Sequence, residues 1–162
     1  MMSEARASMP PPAYVGCRAM LKRCCLLAAA VAIAAGTLAA PASARITFFQ
    51  SPAKNIHCVY LTGTAASEPL VRCDVDFPTR FRRKPSNCEF DFGGAFQVTR
   101  THHGRAICVS DSANSPSASK LVVGTDRRLG PFTCKAPGRT SVRCTSTRGH
   151  GFLLAPSRQL VY

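Results

Sequence analysis

The chain has 162 residues, with 21 Lys and Arg against 8 Asp and Glu, and a formal net charge of +13. This length accommodates one domain, or two at most. Hydrophobic residues make up 46% of the chain and charged residues 18%, which excludes a fully disordered protein. The apolar residues and the nine cysteines are unevenly distributed, so the two ends of the chain need separate interpretation.

Residues 1–44 have the features of an export signal. Two basic residues precede an uncharged apolar run at residues 24–40, and small residues then end in an A-x-A cleavage motif at Ala44. We predict a signal peptide cleaved after Ala44, with Met20 as an alternative start, and therefore a secreted, periplasmic or cell-envelope protein. An uncleaved anchor is the alternative, although the run is at the lower limit of length for a membrane span.

Cleavage would leave residues 45–162 as a single secreted disulfide-rich domain. They carry 17 Lys and Arg and 7 Asp and Glu, so the net charge is 17 − 7 = +10. Six of the nine cysteines remain, and an even number in a small exported domain indicates disulfide bonds. We expect a monomer without a transmembrane segment after processing.

Short apolar runs separated by Gly, Pro, Ser and Asn clusters follow along the rest of the chain. They lie at residues 46–49, 56–61, 70–75, 96–101, 106–109, 121–123, 131–134, 142–145 and 152–154. This spacing predicts an all-β fold, a small antiparallel sheet or barrel-like domain stapled by three disulfides, after an N-terminal signal helix. Residues 101–104 are predicted to form a hairpin tip. The polar loop at residues 110–119 is expected to be mobile, because it has no large apolar side chain to dock.

The six remaining cysteines predict disulfides between neighbouring strands. In four strand-like segments the cysteine shares its parity with apolar residues, so it would lie on the buried face. The default pairing is Cys58–Cys73, Cys88–Cys108 and Cys134–Cys144. Interleaved pairing is the alternative. The sequence has no C-x-x-C pair, which argues against zinc, and we expect no metal or other cofactor.

Six sequence blocks with characteristic residues follow one another in the cysteine-containing part. They are F-Q-S-P-A-K-N-I-H-C (49–58), V-R-C-D (71–74), C-E-F-D-F-G (88–93), G-P-F-T-C (130–134), S-V-R-C-T (141–145) and G-H-G-F (149–152). Their order resembles that of a family of small secreted bacterial proteins of unknown function, best known from actinobacteria, which begin F-x-S-P-x-x-N-I-x-C. The chain departs at Phe92, where the family commonly has Trp, at Ala53-Lys54, where Ser-Gly is common, and in its basic stretch before Cys88. The resemblance implies one secreted disulfide-linked domain and assigns no catalytic residue.

A run of basic residues gives the main functional signal. Four positive charges lie within five residues, at Arg80, Arg82, Arg83 and Lys84, with Phe81 between them. This pattern predicts an anion-binding loop in which Phe81 stacks or inserts, with an anionic envelope polymer or lipid headgroup as partner. Specific nucleic-acid recognition is not expected. The alternative is a solvated loop with no partner.

Histidine acid–base chemistry gives the alternative function. Four histidines remain after processing, at His57, His102, His103 and His150. Two of them could cleave RNA as general acid and base. Because His102 and His103 are adjacent, the pair would join one of them to His57 or His150. Glycines on both sides of His150 predict a turn before Phe152, which would lie in the core.

The remaining polar candidates are interpreted as structural. The i, i+2 carboxylates are expected to form surface ion pairs; they are Asp74, Asp76, Glu89 and Asp91. Asn55 is expected to cap a turn, and Ser51 lacks the G-x-S-x-G context of a nucleophile. We therefore predict a non-enzymatic exported binding module, with a small secreted hydrolase as the alternative. An inhibitor or partner-binding module that presents a rigid loop is a third hypothesis.

Overall fold

A computed structural model describes residues 45–162, and the predicted signal peptide lies outside the described residues. This part of the chain forms strands connected by turns and loops. The strands are β1 (Ile46–Gln50), β2 (Ile56–Leu61), β3 (Leu70–Val75), β4 (Asp91–Thr99), β5 (Arg105–Val109), β6 (Ser119–Lys120), β7 (Arg127–Leu129), β8 (Phe132–Lys135), β9 (Val142–Ser146), β10 (Gly151–Ala155) and β11 (Arg158–Val161). Between residues 45 and 162 no helix is long and apolar enough to cross a membrane.

The strands are arranged in two sheets. The first has six strands in the order β5-β4-β3-β2-β1-β6, and the second has five in the order β11-β10-β9-β8-β7. Strands that follow one another in the chain pair as antiparallel hairpins within each sheet, while β6 returns parallel to β1. The predicted all-β, largely antiparallel fold is confirmed, and so is the hairpin tip between β4 and β5.

One hydrophobic core lies between the two sheets. Alternate residues of the inner strands enter it, as the parity of Ile56, Cys58 and Tyr60 predicts. Its largest fully buried side chains are Phe49, Phe96, Phe132 and Phe152. Truncation of such a buried phenylalanine to alanine costs about 3–5 kcal/mol, so this core is the main source of stability.

The predicted disulfide pairing is confirmed. The three bonds are Cys58–Cys73, Cys88–Cys108 and Cys134–Cys144. The first and last join residues directly opposite each other, on β2 and β3 and on β8 and β9. Each bond stabilises the fold by about 2–4 kcal/mol through restriction of the unfolded chain. Three disulfides are consistent with an extracellular or secreted protein.

Strand prediction failed in the segment after β5 and at the C-terminus. Residues 121–123 were expected to form a strand, but the strand in this region is β6, at residues 119–120, which pairs with β1. Three short strands, β6, β7 and β11, were not predicted. In β11 the buried position is Gln159, whose amide donates to the carbonyls of Ala155 and Pro156, so the apolar alternation that marks a strand is missing.

The polar loop, defined as residues 110–118, is docked against the first sheet. Arg72 of β3 donates to the Asp111 carboxylate at 2.7 Å, and the Ala113 amide donates to Asp74 at 2.7 Å. The Gln50 amide holds the other end through the Ala118 carbonyl at 2.9 Å. The loop has no large apolar side chain, as expected, but the polar contacts that attach it to the sheet were not predicted. Polar contacts with β1 and β3 replace the apolar anchor that the sequence lacks.

Candidate functional site

The basic loop, defined as residues 76–90 between β3 and β4, is held to the core by Phe81. The Phe81 ring packs edge-to-face on the buried ring of Phe96, with 5.2 Å between ring centroids. Gly93 has a φ of 91°, and a Cβ there would overlap the carbonyl oxygen of Phe81, so glycine permits the close approach of the loop to β4. The half-buried Phe81 ring packs against the core on one side, so stacking on a partner by its exposed part stays a prediction.

Hydrogen bonds fix the part of the basic loop that precedes Phe81. The buried Thr79 hydroxyl donates to the carbonyl of Gly93 at 2.6 Å. The backbone amide of Arg80 donates to the side-chain carbonyl of Gln159 at 3.2 Å, which ties the loop to β11. Such contacts orient the backbone at Arg80 before any ligand arrives.

A pocket with three arginines lies between the basic loop and the β10–β11 turn. Its volume is about 510 Å³, and it opens to solvent. Arg80 and Arg82 line one side and Arg158 the other. All three are exposed, and none forms an ion pair with an acidic residue within residues 45–162. We call this the arginine pocket.

Only two of the four residues predicted to bind an anion line the arginine pocket. Arg80 and Arg82 line the arginine pocket, with the Arg82 Nε donating to the Thr79 carbonyl at 3.2 Å. Arg83 and Lys84 are exposed but do not line it. Arg158 was missed, because nothing in the sequence near it indicates that β11 lies beside a loop that is far away in the chain.

The histidines fall into separate environments. His57 is buried, with its Nε2 2.9 Å from a carboxylate oxygen of Asp76, and its Nδ1 has no partner in the described part of the chain. His102 is exposed, 3.6 Å from Glu68. His103 and His150 meet edge-to-face, with 4.3 Å between ring centroids. The structure thus brings together one of the pairs proposed from the sequence, His103 with His150, and leaves His57 in a separate hydrogen bond with Asp76.

Close backbone contacts at the C-terminus bring His103 to His150. The amides of Gly104 and Gly151 both donate to the carbonyl of Tyr162, at 3.0 and 2.7 Å. A Cβ at Gly104 would overlap the carbonyl oxygen of Gly151, so only glycine allows this approach. The predicted turn at His150 is present, because its carbonyl accepts from the Ser146 amide, and Phe152 is fully buried.

The acidic residues only partly follow the expected surface pairing. Asp74 bonds Arg72 at 2.9 Å in a half-buried position, and Asp76 pairs with His57. Glu89 and Asp91 are exposed and form no ion pair between residues 45 and 162. Across that same range, no group of three or more His, Cys, Asp or Glu side chains is placed to hold a metal ion.

Two other carboxyl groups, those of Asp111 and Glu68, have pKa values displaced by their neighbours. A hydrogen bond from the Arg72 guanidinium, together with its positive charge, holds the pKa of Asp111 below its ordinary value. A hydrogen bond from the Thr101 hydroxyl does the same for the pKa of Glu68. Both groups are therefore anionic well below neutral pH.

Ser51 and Asn55 form a turn rather than a reactive site. The buried Ser51 hydroxyl donates to the Asn55 side-chain oxygen at 2.8 Å and accepts from the amides of Asn55 and Ile56 at 3.1 Å. Lys54 in this turn has a φ of 60°. The structural interpretation of both residues agrees with these contacts.

Taken together, the fold and its sites define a small disulfide-stabilised β domain with a basic pocket and a histidine pair. Residues 25–162 match a family of unknown function, DUF6636, and the chain belongs to that family. A search of curated proteins found no match, and neither did a search of solved structures.

Proposed function

We propose that this protein is a non-enzymatic binding module that acts in the cell envelope or outside the cell and holds an anionic group in the arginine pocket. The observation that supports the proposal is the convergence of Arg80, Arg82 and Arg158 from two separate segments on one open pocket. The ligand group is a phosphate or carboxylate, carried by an envelope polymer or by a lipid headgroup.

The chemistry of the pocket suits such a group. Each guanidinium can donate two parallel hydrogen bonds to a phosphate or carboxylate, and these charge-assisted bonds are about twice as strong as neutral ones. Contacts of Phe81, Thr79 and Gln159 hold the backbone on one side of the pocket, so binding costs little backbone entropy, although the exposed arginine side chains must still be ordered. The net charge of +10 on residues 45–162 would also accelerate the encounter with an anionic surface.

A triple variant tests this site. Arg80→Gln, Arg82→Gln and Arg158→Gln together should weaken binding to phosphatidylglycerol vesicles or to soluble polyphosphate by about tenfold or more. The matched control removes the same charge elsewhere, at the exposed residues Arg100, Arg139 and Arg148. Comparison of vesicles with polyphosphate distinguishes a headgroup from a polymer.

The control should change the affinity by less than about twofold, and Arg83→Gln with Lys84→Gln should behave in the same way. Equal losses in the triple variant and in its control would mean that only overall charge matters, and the proposed site would be wrong. Binding that does not respond to salt would also contradict it, because phosphate contacts release counterions.

The His103–His150 contact favours a second candidate function, hydrolysis of RNA. One imidazole would take a proton from the attacking 2′-hydroxyl and the other would give a proton to the leaving oxygen. An adjacent depression of about 330 Å³, lined by His103, His102 and Arg105, would take the substrate. Cleavage of single-stranded RNA by the exported protein, lost in His150→Ala and retained in His57→Ala, would establish this activity. Absence of cleavage at any pH from 5 to 8 would exclude it.

A further inference from the structure

The outer face of the first sheet is apolar over β1, β2 and the start of β3. In a two-sheet domain the face turned away from the core is normally polar. Here Ile46, Leu61 and Leu70 lie side by side in one cross-strand row, and Phe48 lies beside Val59 in the next. Five apolar side chains in two adjacent rows are unusual on a sheet face that is exposed to water.

These rows form the floor of a groove with a volume of about 540 Å³. Residues 110–113 of the polar loop and the apolar side chains of Phe90, Ile107 and Val109 also line it. The polar lining includes Gln97 and Arg72, whose guanidinium is already paired with Asp74 and Asp111. The volume lies within the range of about 300–1,000 Å³ that is usual for small-ligand sites. Ile46 and Phe90 at its edge expose 56% and 54% of their surface, although both are large apolar residues.

The shape and polarity of the groove favour a slender alkyl chain over a protein partner. Phe48, Val59 and Leu61 are only half-exposed, so a flat protein surface would touch the rim and leave the floor empty. The backbone groups of the floor are used in the β1–β2–β3 ladders, and a bound peptide would have few partners for its amides. An alkyl chain needs no such partners.

One exposed arginine, Arg105, lies beside the groove, in a depression that also contains the Glu68 carboxylate. Leu70 and Gln97 line both the groove and the neighbouring depression, where Arg105 is found. Arg105 is exposed, lies opposite Gln97 in the β4–β5 ladder, and has no ion-pair partner among residues 45–162. Glu68 of the same depression is engaged by the Thr101 hydroxyl at 2.6 Å and lies 3.6 Å from His102.

We propose that this groove binds a free, single-chain anionic amphiphile of the fatty-acid class. The alkyl chain lies on Phe48, Val59 and Leu61, and the carboxylate is held by Arg105. This site goes beyond the proposed function, because the groove and the arginine pocket share no lining residue. An experiment can therefore disprove one of the two sites and leave the other unaffected.

The first experiment tests the apolar part of the site on the exported protein, purified after expression of the full chain. Dodecanoate binding is measured by native mass spectrometry and by displacement of a fluorescent fatty acid, at concentrations below micelle formation. Ile46→Ser with Phe90→Ser should weaken binding by about tenfold, because both exposed side chains cover the ligand. Val122→Ser with Val123→Ser is the matched control, since these residues expose 67% and 48% of their surface and lie outside the groove.

The second experiment tests the carboxylate contact with Arg105→Gln. The affinity for dodecanoate should fall by about threefold to tenfold, while the affinity for dodecanol should stay unchanged. The Arg80, Arg82 and Arg158 triple variant should bind dodecanoate like the wild type, which separates this site from the arginine pocket.

Several results would overturn the proposal. They are the absence of saturable dodecanoate binding in the wild type, equal losses in the groove variant and its control, or equal losses of dodecanoate and dodecanol in Arg105→Gln. A dimer that becomes monomeric in the groove variant, without any dodecanoate bound to the wild type, would show that a second copy of the chain occupies the groove.

Discussion

The basic loop and the polar loop are held in place by opposite means. The basic loop inserts Phe81 against the core, and its charged groups stay exposed to solvent. The polar loop has no large apolar residue and is held by Arg72. The guanidinium of Arg72 donates to the carboxylates of Asp74 and Asp111, which neutralise its charge. An apolar anchor thus leaves charge available for a ligand, whereas an ionic anchor neutralises the charge it uses. This difference is why the arginine pocket is the stronger candidate for an anion.

Removal of the apolar anchor should have the largest effect. Phe81→Ala should lower the free energy of unfolding by about 2–4 kcal/mol, because a half-buried ring that packs on Phe96 is lost. Anion binding should weaken as well, since Arg80 and Arg82 would no longer be held. Urea denaturation and the vesicle titration measure the two effects.

Phe90→Ala is the matched control for this change. Phe90 belongs to the same loop but exposes 54% of its surface, so its loss should cost less than about 1 kcal/mol. Loss of stability in Phe81→Ala with unchanged anion affinity would show that Phe81 does not hold the pocket, and the comparison of the two loops would then fail.

Removal of the ionic anchor should have a smaller and more local effect. Arg72→Met keeps most of the side-chain volume but leaves the half-buried Asp74 carboxylate without a positive charge beside it, at a cost of about 1–3 kcal/mol. Hydrogen exchange should accelerate over residues 110–118, with little change in the basic loop. Anion binding at the arginine pocket should be retained, and its loss in this variant would contradict the independence of the two loops.

The turn at residues 51–55 uses neither kind of anchor and provides a third case. The Ser51 hydroxyl organises it, but Lys54 adopts a φ of 60°, which costs a residue with a Cβ about 1 kcal/mol. Lys54→Gly should therefore raise the free energy of unfolding by up to about 1 kcal/mol, an increase that thermal denaturation can measure. A decrease would mean that the Lys54 side chain makes a stabilising contact larger than the backbone strain.

Strand alternation explains why the core and the disulfides could be predicted. Cys58 and Cys134 follow the parity of their apolar neighbours, and each strand partner is close in the chain, so local pattern was sufficient. The same rule could not identify the groove. A row such as Phe48 and Val59 has the parity of an outer face, and only the paired strands show that these residues are adjacent.

The candidate sites depend on contacts between distant segments, which explains why they were predicted only in part. The charge run identified Arg80 and Arg82, but Arg158 reaches the pocket from β11. This strand could not be predicted, because its buried position is the polar Gln159 and not an apolar residue. The contacts of the polar loop were not predicted for a similar reason. Its attachment depends on Arg72, a β3 residue whose side chain points away from the core, and sequence reasoning assigned it no role.

Acid should release the polar loop by removing the charge of Asp111. Because Arg72 lowers the pKa of Asp111 in the folded protein below its ordinary value of 3.8, the ionised form favours the docked loop. The stabilisation is complete above that value and is lost as the pH falls through the lower folded pKa. The effect should be the smallest of the four, since the Asp111 side chain is 76% exposed and water screens the ion pair.

The amide proton of Ala113 reports this release, because it donates to Asp74 beside Arg72 in the docked loop. Its chemical shift should change between pH 4 and pH 2, while the amide of Arg82 in the basic loop, which donates to the Arg80 carbonyl, should change little. In Asp111→Asn the Ala113 chemical shift should depend less on pH. At neutral pH it should lie closer to the value that the wild type shows in acid. An unchanged Ala113 signal in that variant would show that the Asp111 carboxylate does not hold the loop, and the backbone carbonyl of Asp111, which accepts from Arg72 at 2.6 Å, would then be the contact that docks it.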